Sequence, residues 1–250
     1  MPDMKLSLLG LFMRAWLLSQ QLNSQSIPQP TDSPRARVDG FGCDRVLIVG
    51  SGPAVGWGVT SHEIALPGSL ARALASQTRR GTDVDLVADM RINIGNLARV
   101  LRRIAPERYD VIVLVLGAND AVSLTPLSRW RERLSATLSM LESCTQAPTR
   151  IVVTGIPPIR SVPGFRSRLG ALAENHGTRM NLITAELCGA LARTAFAPLS
   201  GIGELPRSRF GDGRTYRVWA AEIADVVAPR LSQARWDSVA DVLGTVESRE

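Results

Sequence analysis

The sequence predicts an α/β domain, a three-layer sandwich whose parallel sheet is covered by helices on both faces. Two kinds of segment predict it. Short, apolar, β-branched runs such as VLIVG at Val46–Gly50 and DVIVLVL at Asp110–Leu116 have the length and composition of buried strands. Longer stretches with helical character separate these runs, and strands alternating with helices give parallel pairing through right-handed crossovers. Size agrees: 250 residues, 45% hydrophobic and 21% charged, suit one globular domain with extensions rather than two large domains or a disordered chain.

The elements follow in order. Residues 1–23 read as an amphipathic extension. Lys5 and the apolar Leu6, Leu8, Leu9, Leu11 and Phe12 resemble a signal peptide, but Arg14 interrupts them and no small-x-small cleavage site follows. The expectation is a segment that packs on the domain or touches a membrane surface. Residues 24–43, rich in Ser, Gln, Pro and Gly, read as a linker. The main domain spans 44–235, and 236–250 is a C-terminal tail. Within the domain, strands are expected at Val46–Gly50, Val84–Ala88, Asp110–Leu116 and Arg150–Thr154. Helices are expected at Leu66–Arg79, with Pro67 in the first turn, at Ile94–Ile104, and from Thr125-Pro126 to Glu142. A long helix over Arg166–Thr194 and a last one over Tyr216–Leu231 complete the series. Functional loops then gather at the carboxyl ends of the strands, at 51–63, 89–95, 117–124, 155–165 and 200–215.

Composition narrows the function. The only lysine is Lys5, so the net charge of +6 is carried by arginines spread along the chain. With aromatics at 5%, stacking platforms for nucleic acid are missing, and no nucleic-acid partner is expected. Cys43, Cys144 and Cys188 show neither metal spacing nor a disulfide framework, so no metal and no cofactor are expected. The default location is the cytoplasm, with membrane association through residues 1–23 as a further expectation. Histidine is scarce: only His62 and His176 could serve as an imidazole base.

Gly50-x-Gly52 after a strand invites a dinucleotide-binding reading, and an oxidoreductase is one alternative. Against it, Val55 stands where the fingerprint needs its third glycine, and the expected helix begins far downstream at Pro67 rather than at once. Leu116-Gly117-Ala118-Asn119-Asp120 follows the strongest strand, where the Asn119 amide could donate to an oxyanion. A turn built by Asn119 and Asp120 is the plainer alternative. Gly95 could offer a backbone N–H to the same spot.

Taken together, these loops resemble the SGNH-hydrolase family, the GDSL-type esterases. The resemblance rests on VLIVGSGPAVGWGVTSHEIALPGSLARAL, on Gly95, on Gly117-Ala118-Asn119-Asp120, on the proline loop GIPPIRSVPGF at Gly155–Phe165, and on Tyr216-Arg217-Val218-Trp219-Ala220. It covers roughly residues 44–232 and implies a flavodoxin-like sheet and ester hydrolysis or acyl transfer, with Gly95 and Asn119 as oxyanion donors. The family's chemistry needs a serine, a histidine to take its proton and an aspartate to orient that histidine. Aligned on G-D-S-L, this chain has Ser51 at the aspartate's place and Gly52 at the nucleophile's. Counting back from Tyr216, Phe210 stands at the histidine position and Arg207 at the aspartate position.

The resemblance therefore implies a degenerate triad and a weakly active or non-hydrolytic binder of an acyl or ester ligand, or of a partner protein. Gly52, Trp57 and Asp120 are the candidate ligand contacts. The alternative is an active esterase or acyltransferase with Ser51 as a displaced nucleophile, using His62 and Glu63. His62 as a helix-entry residue and His176 as a structural residue are the plainer readings. Arg207, Arg209 and Arg214 could clamp an anion, or could simply form a solvated face.

Overall fold

Residues 28–145, 148–161, 165–200 and 213–247 are described by a computed structural model, with side chains of the last segment to residue 232. Among the described residues six strands are present: β1 (Arg35–Val38), β2 (Cys43–Gly50), β3 (Gly81–Ala88), β4 (Val111–Val115), β5 (Arg150–Thr154) and β6 (Thr194–Ala197). They form one sheet in the order β1-β3-β2-β4-β5-β6. The helices are α1 (Leu66–Thr78), α2 (Leu97–Leu101), α3 (Ala118–Val122), α4 (Leu127–Cys144), α5 (Arg168–Gly189) and α6 (Arg214–Glu247).

The period of two along the strands divides the core into its two layers. Val46 and Ile48, with Val111 and Val113, face α1 and α6, where they meet Leu70, Leu74, Trp219 and Ile223. Leu47 and Val49, with Ile112 and Leu114, face α2, α4 and α5, where they meet Leu101, Trp130, Leu138 and Met180. Burial on both faces is what makes these strands apolar throughout rather than alternating. Trp130 is fully buried, and its indole N–H donates to Thr184 Oγ1 at 3.1 Å, so the ring closes the α4–α5 contact without an orphaned donor.

Two departures from the sequence reading stand out. The sheet is not wholly parallel: β1 runs antiparallel to β3, with Arg35 opposite Asp85 and Val38 opposite Thr82. This strand lies in the stretch read as linker, where only Ala36 and Val38 carry apolar side chains, too few to register as a run. The other missed strand is β6. The long helix ends at Gly189 rather than running to Thr194, and Thr194–Ala197 pairs with β5 instead. Boundaries shift elsewhere too. The helix expected over Ile94–Ile104 is regular only over Leu97–Leu101, because Asn93 and Asn96 fold the preceding residues into turns. α6 continues through most of the stretch read as tail, to Glu247.

The strand order places the site. β3 lies on one side of β2 and β4 on the other. The crossover direction therefore reverses at β2, and the loops leaving the carboxyl ends of β2, β3 and β4 part there to open a crevice. Among the described residues no helix is long and apolar enough to cross a membrane. Residues 1–23, and with them the expected membrane contact, lie outside the described residues.

Candidate functional site

The first loop leaves β2 through Gly50. A Cβ on Gly50 would stand 1.7 Å from the Val115 carbonyl oxygen, so only glycine lets β2 and β4 run this close at their ends. The Ser51 N–H then donates to that same carbonyl at 2.9 Å. Gly52 follows with φ +57° and opens a single 3-10 turn, Gly52–Val55. No α-helix opens directly after Gly50-x-Gly52, since α1 begins only at Leu66. The geometry of a pyrophosphate-binding turn is therefore not built here.

Ser51 is fully buried, and its Oγ has no hydrogen-bond partner among the described residues. Although it caps the 3-10 turn, its side chain takes no part in the cap. Trp57, half-buried in the same loop, presents a buried indole N–H that also lacks a partner. Its carbonyl accepts from the Tyr216 hydroxyl at 2.8 Å, which ties the loop to the first turns of α6.

The loops after β3 and β4 are built differently. Gly117, at φ +102°, turns the chain out of β4 into α3. Asn119, half-buried on α3, donates its amide to the carbonyls of Met90 at 2.6 Å and Ile92 at 3.1 Å. The Gly95 N–H donates to Asn93 Oδ1 at 2.8 Å. In this arrangement the two groups expected as oxyanion donors hold the loop after β3 together, and an acyl oxygen must displace those bonds to engage either. Asp120, buried, accepts the Ile94 N–H at 3.0 Å and the Thr125 hydroxyl at 3.0 Å. That makes it a clamp between two loops rather than an open ligand contact. His176 on α5 reaches the Thr125 carbonyl with Nε2 at 2.7 Å, a structural bond.

His62 is the imidazole in the first loop. Its Nδ1 stands 2.7 Å from Asp32 Oδ1, and its backbone N–H donates to both carboxylate oxygens of Asp32, at 2.9 and 3.1 Å. The Ser61 hydroxyl adds a further bond to Asp32 at 3.0 Å. The His62 N–H, above all, holds the Asp32 carboxyl below its ordinary range; burial is the next largest influence and opposes it, and the Ser61 and His62 side chains reinforce it. Glu63 is not brought to the imidazole: it pairs with Arg72, whose Nη2 also donates to the Glu63 carbonyl at 2.7 Å. Asp32, thirty residues upstream in the stretch read as linker, carried no sequence signal that would join it to His62. Arg207, Arg209 and Phe210 lie outside the described residues, so the positions aligned with the triad's aspartate and histidine do too. Among the described residues no group of three or more His, Cys, Asp or Glu side chains could hold a metal.

A mostly parallel α/β sandwich with its polar loops at the reversal of strand order belongs to the doubly wound class of folds. The family model for GDSL-like lipases and acylhydrolases matches residues 38–217, and the chain belongs to that family. Solved structures agree on the fold. A lipase from a goat rumen metagenome superimposes with a TM-score of 0.57 at 13% identity, covering 73% of this chain and 96% of that one. The lipase/acylhydrolase from Enterococcus faecalis does so with a TM-score of 0.57 at 16% identity, covering 75% and 96%. The aryl esterase of M. smegmatis gives 0.53 at 17% identity, covering 75% and 100%. No curated protein matches the chain in sequence.

Proposed function

We propose that this GDSL-family domain has left serine-driven hydrolysis and serves chiefly to bind an acyl or ester group in the crevice beside its first loop, with hydrolysis weak or absent. One observation carries the reading. The Ser51 hydroxyl is fully buried and bonded to no described group, so no described residue draws its proton and no face of it is open to an acyl carbon. The alignment supports it independently, with Gly52, Phe210 and Arg207 at the nucleophile, base and orienting positions. Triad members act as a unit worth on the order of 10⁶ in rate, so their joint absence removes most of the chemistry and leaves the binding site. On the binding side, the unpartnered Trp57 indole N–H is a donor without an acceptor, which costs about 1–3 kcal/mol if it stays unmet. A ligand carbonyl meets it only where the first loop moves to uncover that atom. The lipase and esterase relatives support an acyl or ester as that ligand.

The test is turnover of p-nitrophenyl acetate and butyrate by the full chain and by Ser51→Ala. The reading expects turnover that is slow and does not depend on Ser51. Turnover that disappears with Ser51→Ala would replace it with the second reading, an esterase or acyltransferase using Ser51 as a displaced nucleophile. That second reading is favoured by a single feature, the Asp32–His62 pair.

A further inference from the structure

We infer that Asp32 and His62 form a base that works on water rather than on a serine, and that it supplies whatever ester hydrolysis the chain performs. The inference rests on the reading above, and names the group behind its residual activity.

The argument begins with proton placement. An ionised carboxylate can only accept, so the 2.7 Å contact between His62 Nδ1 and Asp32 Oδ1 fixes the proton on Nδ1. A neutral His62 therefore carries its lone pair on Nε2, and Nε2 bonds to no described residue. The ring cannot readily turn away from this pose. Its own backbone N–H is tied to the same carboxylate, and its carbonyl accepts the Gly68 N–H at 3.0 Å. A Cβ on Gly68 would stand 2.0 Å from the Glu63 carbonyl oxygen, so the first turn of α1 presses directly on the loop that holds the imidazole. A base held by a carboxylate and a rigid backbone is the arrangement general-base catalysis requires.

Location supplies the second half. His62 lies in the loop leaving β2, at the reversal of strand order. Two contacts join this loop to the start of α6. The Trp57 carbonyl accepts from Tyr216, and a Cβ on Gly213 would stand 2.8 Å from the Ile64 carbonyl oxygen. His62 is thus two residues from the Ile64–Gly213 contact, and its side chain keeps 10% of its surface exposed.

The step balances with water alone. His62 Nε2 takes a proton from water as the water oxygen bonds to the acyl carbon. The tetrahedral adduct then collapses, the C–O bond to the alcohol breaks, and the leaving oxygen takes the proton back from Nε2. Acid and alcohol are released and the imidazole is regenerated. Asp32 touches neither water nor ester; it is a positioning residue.

The test uses full-length protein and p-nitrophenyl acetate, with thermal melting recorded for each variant. His62→Asn keeps a donor toward Asp32 and removes the base; His62→Gln is the second variant. Both are expected to lower kcat at least tenfold, and added imidazole is expected to restore activity saturably above its own background. Asp32→Asn is expected to lower kcat about tenfold with KM unchanged, since positioned proton transfer contributes about 10²–10⁴ in rate. Glu63→Gln, beside the pair but bonded to Arg72, is the control that keeps basal turnover. Unchanged turnover in both His62 variants, or wild-type turnover no faster than buffer, overturns the inference and leaves the binding reading standing. Loss of turnover in Ser51→Ala together with His62→Asn overturns both the inference and the binding reading, since His62 then acts on a serine. Melting shifts with no change in kcat show that Asp32 and His62 only fasten residues 28–33 to the loop.

Discussion

The loop after β4 and the loop after β2 leave adjacent strands, yet they treat their polar groups in opposite ways. After β4, each side chain that looks chemical is engaged. Asn119 holds Met90 and Ile92, Asp120 holds Ile94 and Thr125, and His176 holds Thr125 in turn. After β2, the Ser51 hydroxyl and the Trp57 indole N–H are buried without partners among the described residues, while Ser61 and His62 meet Asp32 and Glu63 meets Arg72. Residue types that suggest an oxyanion hole in the sequence act here as fasteners between loops. The unengaged groups sit in the loop where alignment on G-D-S-L puts Gly52 at the nucleophile's place. Family resemblance locates the crevice; the hydrogen bonds decide which of its residues are free to meet a ligand.

That contrast can be broken most forcefully at Asp120. Replacing it with Ala leaves the buried Ile94 N–H without an acceptor and cuts the tie to Thr125. Loss of about 3 kcal/mol is expected in urea unfolding, as for other buried carboxylates with donors on both oxygens. Asn119→Ala removes two amide bonds to the loop after β3 and is expected to cost about 2 kcal/mol. If Asn119→Ala leaves stability unchanged and instead weakens ester binding, Asn119 is an oxyanion donor and the contrast fails. Gly52→Ser tests the other loop. The position takes φ +57°, and a Cβ there meets only Ala118 Cβ, at 3.4 Å, so the cost is backbone conformation, about 1–2 kcal/mol. Ser51→Ala runs in the opposite direction: removing a buried hydroxyl with no partner is expected to leave stability unchanged or raise it by about 1 kcal/mol.

The smallest effect is one of pH. Asp32 is held below its ordinary value of 3.8, so its bonds contribute stability that is complete above that value and is lost as pH falls through the lower, folded-state value. Amide exchange at His62 is therefore expected to stay slow at pH 5, and to speed up only well below pH ~4 or in Asp32→Asn. A thiol count gives a check on the core itself. Burial pushes the Cys188 thiol up to about 12, while Cys43 and Cys144 are exposed. Two of the three cysteines are expected to react with a disulfide reagent in the native protein, and the third only on unfolding.

Much of the architecture was legible because burial on both faces writes itself plainly. Val46–Gly50 and Arg150–Thr154 need no partner to be recognised as buried strands, and Pro67 marks the first turn of α1. The edge was less legible. β1 has one face toward solvent, four residues, and a register set by Asp83, Asp85 and their arginine rather than by apolar pattern. β6 follows α5 with a connection so short that propensity blurs it into the helix. At the site, the sequence placed the loops and named His62, but it offered Glu63 as the orienting acid because that residue is adjacent. Neighbours along a chain seldom face each other. The acid that meets the ring is Asp32, brought from a segment whose composition signalled only linker.

The account stands or falls on whether any serine in this crevice can be activated. Incubation of the native protein with a fluorophosphonate, followed by intact mass measurement and peptide mapping, reads this directly. The account predicts an unchanged mass. A stoichiometric adduct mapped to Ser51 would contradict it, since only a serine whose proton has an acceptor reacts in this way.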